Sequence, residues 1–200
     1  MRILILTHER SGGFSLTNWI GNELNVDTYH EPFNTPTIDL NIFDNPNCVV
    51  KIFSKIPTVF NIKISNFIES FDKVIIHKRK NLMDTSISLA YIKKTQSDTN
   101  VSYHNTYEVD DNWLKNNEVL INEQLKSIKN FDNDIENLEF KDYINTTYEG
   151  VFNTREDIIK IKKFLNLKDE LKWLDWIDNK RRLRGGKFGI NGVKIKKELI

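Results

Sequence analysis

Short unbroken apolar runs alternate along this chain with longer stretches in which apolar residues return every three or four positions. The short runs predict buried strands at residues 2–7 (RILILT), 48–53 (CVVKIF) and 73–77 (KVIIH), with a later one at 140–147. Helical spacing predicts helices from Leu16 to near Leu24, then over 59–71, 82–94, 113–131, 154–165 and 167–177. The fifth of these opens with Thr154-Arg155-Glu156-Asp157, a suitable cap followed by acids that suit the helix dipole. Pro32 forces Glu31 into an extended conformation, so residues 26–34 read as a strand end or turn. Residues 34–47, with Pro36 and Pro46, read as a loop. Residues 96–111 are polar and aperiodic and carry Tyr103, His104 and Tyr107, as a lid or binding loop would. Strands alternating with helices predict a three-layer α/β/α fold with a mostly parallel central sheet. No repeat or boundary interrupts it, so residues 1–200 read as a single domain, with 180–200 a basic tail.

The first strand runs into His8-Glu9-Arg10-Ser11-Gly12-Gly13-Phe14-Ser15 and then into a helix. Adjacent glycines permit a sharp turn and close approach to a ligand. The first amides of the helix lack intrahelical acceptors and, with the helix dipole, form an anion site beside Arg10. At the end of the first strand of a parallel sheet, this reads as a phosphate-binding loop. The nucleotide-triphosphatase signature, which needs Gly-Lys-Ser/Thr, is missing, and so is G-x-G-x-x-G. A glycine turn that merely caps a structural helix is the competing reading.

A second basic stretch, Arg79-Lys80-Asn81, ends the third predicted strand and precedes a helix carrying Thr85, Ser86 and Ser88. A cation at a helix N-terminus is unfavourable unless an anion sits there, which favours a binding role over a solvated helix start.

Composition narrows the field. With 29 basic against 28 acidic residues and 39% hydrophobic content, the chain suits a globular domain and carries no net field to attract nucleic acid. A single cysteine, Cys48, leaves no internal disulfide and fits a reducing compartment. No apolar run has the length of a membrane span, and the first strand starts at residue 2, leaving no room for a signal peptide. A cytoplasmic location is therefore expected, as for a bacterial or viral-type chain. The four histidines, His8, His30, His77 and His104, are scattered, and no metal site is expected.

Arg10-Ser11-Gly12, followed by small and hydroxyl residues after a first strand, resembles the 5′-phosphosulfate loop of the sulfotransferases. That loop usually reads Lys/Arg-Ser-Gly-Thr/Ser-Thr. Gly13 and Phe14 stand where the family has hydroxyls, so Ser15 or Thr17 is expected to take over that role. Asn81, Asp84 and Ser88 resemble the family's 3′-phosphate element, with Lys80 at the family's Arg and Arg79 one residue earlier. Tyr148-Glu149 after a strand, then Phe164-Leu165-Asn166-Leu167, also resembles the family; Tyr148 and Phe164 are expected to pack the core. The resemblance implies a P-loop-like fold and 3′-phosphoadenosine 5′-phosphosulfate as donor, with adenosine 3′,5′-bisphosphate as product and no metal. It assigns Arg10, Ser11, Gly12, Gly13, Phe14, Ser15, Arg79, Lys80 and Ser88 to the nucleotide. Arg184, in the basic tail, is a weaker match to a C-terminal nucleotide loop. Glu31 is the expected base with His30 its rival, and Arg10 is expected to stabilise the leaving phosphate. The acceptor would be a small molecule or carbohydrate entering over residues 96–111. The alternatives are a nucleotide kinase with a degenerate phosphate loop and a binding module of the same fold without catalysis.

Overall fold

The computed structural model describes residues 1–32, 41–52, 64–98, 107–168 and 193–195. In chain order its elements begin with β1 (Arg2–Thr7), α1 (Gly13–Leu24), β2 (Asp27–His30), α2 (Asn41–Asp44) and β3 (Cys48–Ile52). Then come α3 (Ile64–Glu69), β4 (Lys73–Lys78), α4 (Leu82–Asp98), β5 (Tyr107–Val109) and α5 (Asp111–Asn116). The remainder are α6 (Glu118–Glu136), β6 (Tyr143–Thr147), α7 (Tyr148–Phe152), α8 (Glu156–Leu165) and β7 (Val193–Ile195). These elements form two compact units, one of residues 1–80 with 131–170, the other of 81–130 with 171–200.

The first unit is built on a sheet of order β2-β3-β1-β4-β6, parallel throughout. Its central strands are apolar on both faces because both faces are covered. Leu4, Leu6, Val50, Ile52, Val74 and Ile76 share one core with Ile42, Phe67 and Ile68, and with Phe131 and Ile135 from the last turns of α6. The register puts Ile3, Ile5, Thr7, Lys51, Ile75 and His77 on the opposite face. There α1 packs with Leu16, Trp19 and Ile20 buried, and the Lys73 Nζ lies 4.3 Å over the ring of Phe164 in α8. Helices, sheet and helices make the three layers expected from the alternation of patterns.

Sheet order decides where a ligand can enter. The chain leaves β1 for β2 and β3 on one side, then crosses to β4 and β6 on the other. Such a reversal opens a crevice beyond the carboxyl ends of the strands on either side of β1. The segments after β1 and β4 both leave the sheet there, since Thr7 pairs with His77 in parallel register.

Several boundaries differ from the sequence expectation, each for a local reason. The single helix expected over 113–131 breaks at Asn117, whose amide and side chain both donate to the Trp113 carbonyl (3.1 and 2.8 Å). Asp110 starts α5 by accepting from the Trp113 amide at 2.7 Å. The late strand begins at Tyr143, not at residue 140, and gives way at once to α7, which the apolar pattern did not predict. Thr147 caps that helix, its hydroxyl accepting from the Gly150 amide at 3.0 Å. The next helix starts at Glu156, and its N-cap is Arg155 at φ 69°, with Thr154 outside. Asp157 fastens it to β6 by accepting from the Thr147 amide at 2.7 Å. Burial alone would raise the Asp157 carboxyl, but Lys160 and Thr147 outweigh it and hold it below the usual carboxylate range. A short helix, α2, lies within the loop expected over 34–47, and the aperiodic stretch 96–111 contains the end of α4 and the strand β5.

In the second unit, Ile87, Ala90, Val109 and Ile121 form a small core with Tyr91, Trp113, Leu114 and Leu120 against it. Strand β5 pairs in parallel with β7. Among the described residues, no helix is long and apolar enough to cross a membrane. The helix expected over 167–177 lies outside the described residues apart from 167 and 168.

Candidate functional site

The loop after β1 is shaped by two left-handed residues, Arg10 (φ 61°) and Gly12 (φ 83°). Glycine is required at the second position for a further reason. A Cβ there would stand 2.6 Å from Phe152 and 2.9 Å from Tyr148, whose rings pack over the turn. The first bond of α1 runs from the Leu16 amide to the Gly12 carbonyl at 3.1 Å. The amides of Gly13, Phe14 and Ser15 are thus the helix's leading donors, without intrahelical acceptors. Gly13 sits down on the sheet, with Thr7 and the aliphatic stem of Lys51 within reach of any Cβ.

The hydroxyls divide in a way the sequence did not reveal. The Ser11 side chain is fully buried, paired with the Thr7 hydroxyl and donating to the His8 carbonyl at 2.7 Å. It braces the loop from within. Thr17, expected as a possible substitute hydroxyl, is also fully buried and donates back to the Gly13 carbonyl at 2.8 Å. A threonine one turn into α1 bonds its own helix. Ser15 is half-buried on the first turn.

Two histidines that looked scattered in the sequence tie this loop to the segment after β4. His8 Nε2 accepts from the Arg79 amide at 3.0 Å. His77 Nε2 reaches the Ser11 carbonyl at 2.9 Å while its Nδ1 meets the Thr146 hydroxyl at 2.9 Å. Burial is the leading cause that lowers both imidazoles, His77 to about 4, and each is neutral at neutral pH. Arg79 adds a third tie: its Nη1 donates to the Arg10 carbonyl at 3.3 Å, and its guanidinium lies 4.8 Å over the Tyr148 ring. The Arg79 side chain is buried, whereas Lys80 is exposed, with its amide donating to Glu149 Oε2 at 3.0 Å. Tyr148, expected only to pack the core, is half-buried and lines the site.

At the end of β2, Glu31 adopts a left-handed φ of 51° instead of the extended conformation expected before Pro32, and its carboxylate pairs with Lys51 Nζ at 2.8 Å. His30 Nε2 faces Asn18 Oδ1 at 2.9 Å, so that nitrogen carries the proton and donates. Nδ1 keeps its lone pair, buried and without a hydrogen-bond partner among the described residues. Burial, then the Lys51 charge, lowers His30 to about 4. The Phe14 ring, 55% exposed, stacks on the imidazole with centroids 4.2 Å apart. The structure therefore brings Phe14 and His30 together at the start of α1, and sets Lys51 between Gly13 and Glu31. Lys51 gave no signal in the sequence, where it reads as one polar residue inside an apolar strand.

Ser88 is fully buried in α4, in the second unit. Nearby, Thr85 and Ser86 donate to the Asn81 and Leu82 carbonyls at 3.0 and 2.7 Å, and Asn81 Oδ1 accepts from the Asp84 amide at 3.1 Å. Arg184 and the basic tail around it lie outside the described residues, as do Tyr103 and His104. Among the described residues, no group of His, Cys, Asp or Glu is gathered as metal ligands would be.

No known family model matches this chain, and no curated protein matches it in sequence. Its fold is similar to that of mouse sulfotransferase SULT7A1, solved as a crystal structure in complex with PAP. The two share 14% identity at a TM-score of 0.56, covering 94% of this chain and 66% of that one. The match therefore spans about two thirds of its neighbour's length, and the likeness is one of fold: a three-layer α/β arrangement on an all-parallel sheet, the P-loop-like fold of sulfotransferases.

Proposed function

We propose that this protein is a sulfotransferase that uses 3′-phosphoadenosine 5′-phosphosulfate as donor. The observation that carries the reading is the pairing of two segments at one edge of a parallel sheet. A helix-opening loop with Arg10 follows β1, a basic segment with Arg79 and Lys80 follows β4, and His8 joins the two through the Arg79 amide. The likeness to a sulfotransferase solved with PAP supports the same reading.

In this reading the amides of Gly13, Phe14 and Ser15, with Arg10, receive the 5′-phosphosulfate. Ser11 and Gly12 hold the turn. Lys80, the exposed cation, receives the 3′-phosphate. Arg79 acts mainly by shaping the first loop through the Arg10 carbonyl. Arg184 is proposed as a further contact from the tail.

When bound, the donor supplies the sulfuryl group. The residues of this chain align the acceptor, receive its proton and neutralise the leaving phosphate. Arg10 serves the last of these. Glu31, paired with Lys51 Nζ, is the proposed proton acceptor; His30 offers a neutral Nδ1 beside it. The acceptor is a small molecule or carbohydrate with a reactive hydroxyl or amine.

The test compares thermal stabilisation by adenosine 3′,5′-bisphosphate without metal against ATP with magnesium, since a ligand that binds only the native state raises the melting temperature. Stabilisation by the bisphosphate, lost in Arg10→Ala, supports the reading. Stabilisation by ATP with magnesium alone would favour a kinase. Bisphosphate binding with no turnover of any acceptor would favour a binding module.

A further inference from the structure

We propose that His8 and His77 form a reciprocal clamp that sets the spacing between the loop after β1 and the segment after β4, and so act as positioning residues for a ligand held by both. The proposal rests on the two-loop reading above and deepens it. The geometry is reciprocal. His8, which leaves β1, accepts the Arg79 amide beyond β4 at 3.0 Å. His77, the penultimate residue of β4, donates to the Ser11 carbonyl beyond β1 at 2.9 Å. Each strand end thus holds the backbone of the other's loop.

Hydrogen-bond chemistry fixes the tautomers. An amide N–H only donates, so His8 Nε2 carries the lone pair and its Nδ1–H donates to the Glu9 carbonyl at 3.0 Å. A carbonyl only accepts, so His77 Nε2 carries the proton; burial keeps the ring neutral, which leaves the lone pair on Nδ1 to accept from the Thr146 hydroxyl. Opposite tautomers are thus needed, and His8 must be neutral to accept from the Arg79 amide. A protonated His8 would set one N–H against the Arg79 N–H.

The surrounding charges do not force protonation. Asp132 favours charge on His8 while Arg79 and Lys78 oppose it; Asp157 and Glu149 favour charge on His77 while His8 opposes it. In both cases burial is the leading cause and keeps the ring neutral. Both rings are almost wholly buried, 3% and 0% exposed, so water does not substitute for the bonds they make.

A clamp on spacing makes a prediction that a merely structural histidine does not. A ligand that touches both loops should suffer when it is cut, and one that touches only the first should not. The test measures, by isothermal titration, the affinity of wild type, His8→Leu and His77→Leu for adenosine 3′,5′-bisphosphate and for adenosine 5′-phosphate. Each Leu variant should lose about tenfold or more for the bisphosphate and little for the monophosphate, a loss of the size expected for a broken buried hydrogen bond. His8→Gln and His77→Gln, which offer an acceptor and a donor near the Nε2 position, should recover most of it. Equal losses for both ligands, or none, would overturn the clamp.

Nitrogen-15 NMR of the wild-type rings checks it without any ligand. His8 protonated at Nδ1 and His77 at Nε2 are expected at pH 7, and the reverse tautomers, or charged rings, would overturn the proposal. Should wild type bind neither nucleotide, the sulfotransferase reading falls, while the tautomers and Arg79 amide exchange in the Leu variants still decide the clamp.

Discussion

Acidification should weaken this protein through His77, by an amount the structure allows to be worked out. The ring is fully buried on β4, and burial lowers it from 6.5 to about 4. In the unfolded chain it titrates near its ordinary value, so between those two pH values the unfolded state binds more protons than the native one. The stabilising contribution is therefore complete above about pH 6.5 and is lost as the pH falls towards 4. A difference of about 2.5 pH units corresponds to ~3 kcal/mol, an order-of-magnitude figure for a buried ring. His77→Gln keeps a donor for the Ser11 carbonyl but cannot titrate. The assay is urea denaturation followed by circular dichroism at pH 7 and at pH 4.5, wild type against His77→Gln. Other groups, His30 among them, titrate in both proteins and cancel. Wild type should lose ~2–3 kcal/mol more than the variant between the two pH values. Losses of equal size in the two proteins would refute the reasoning.

Other substitutions probe the site and its supports. Gly12→Ala, at φ 83° and against Phe152 and Tyr148, should destabilise the protein by ~1–3 kcal/mol in denaturant melts and weaken bisphosphate binding together. Asp157→Ala removes the acceptor for the Thr147 amide and hydroxyl, and should cost ~2 kcal/mol, read as a lower melting temperature. Glu149→Gln keeps an oxygen for the Lys80 amide while removing a negative charge beside the second loop; titration calorimetry should show tighter bisphosphate binding. Glu31→Ala should keep nucleotide affinity and abolish release of adenosine 3′,5′-bisphosphate from the donor in the presence of acceptor; undiminished release would point to His30.

The sheet was legible because parallel strands covered on both faces leave a simple mark, an unbroken apolar run. Residues 2–7, 48–53 and 73–77 carry it, and all three became adjacent central strands, with only their last residues shifted. The β1 loop was legible from its glycines. What escaped was set by contacts between distant residues. His8 and His77 lie 69 positions apart in sequence and meet only through the parallel register of β1 and β4. Lys51 and Glu31 pair across β2 and β3. The inward turn of Ser11 and Thr17 and the stacking of Arg79 on Tyr148 are likewise tertiary choices. The break at Asn117 depends on a side-chain bond that helical periodicity does not register.

The central claim is that one nucleotide is gripped at both ends. It is tested most directly by titration calorimetry of adenosine 3′,5′-bisphosphate against adenosine 5′-phosphate, without metal, on wild type and Lys80→Ala. The account predicts that wild type prefers the bisphosphate by about tenfold or more, the scale of a charge-assisted contact, and that Lys80→Ala erases the preference. Equal affinity for the two ligands in wild type, or a preference untouched by Lys80→Ala, would contradict it.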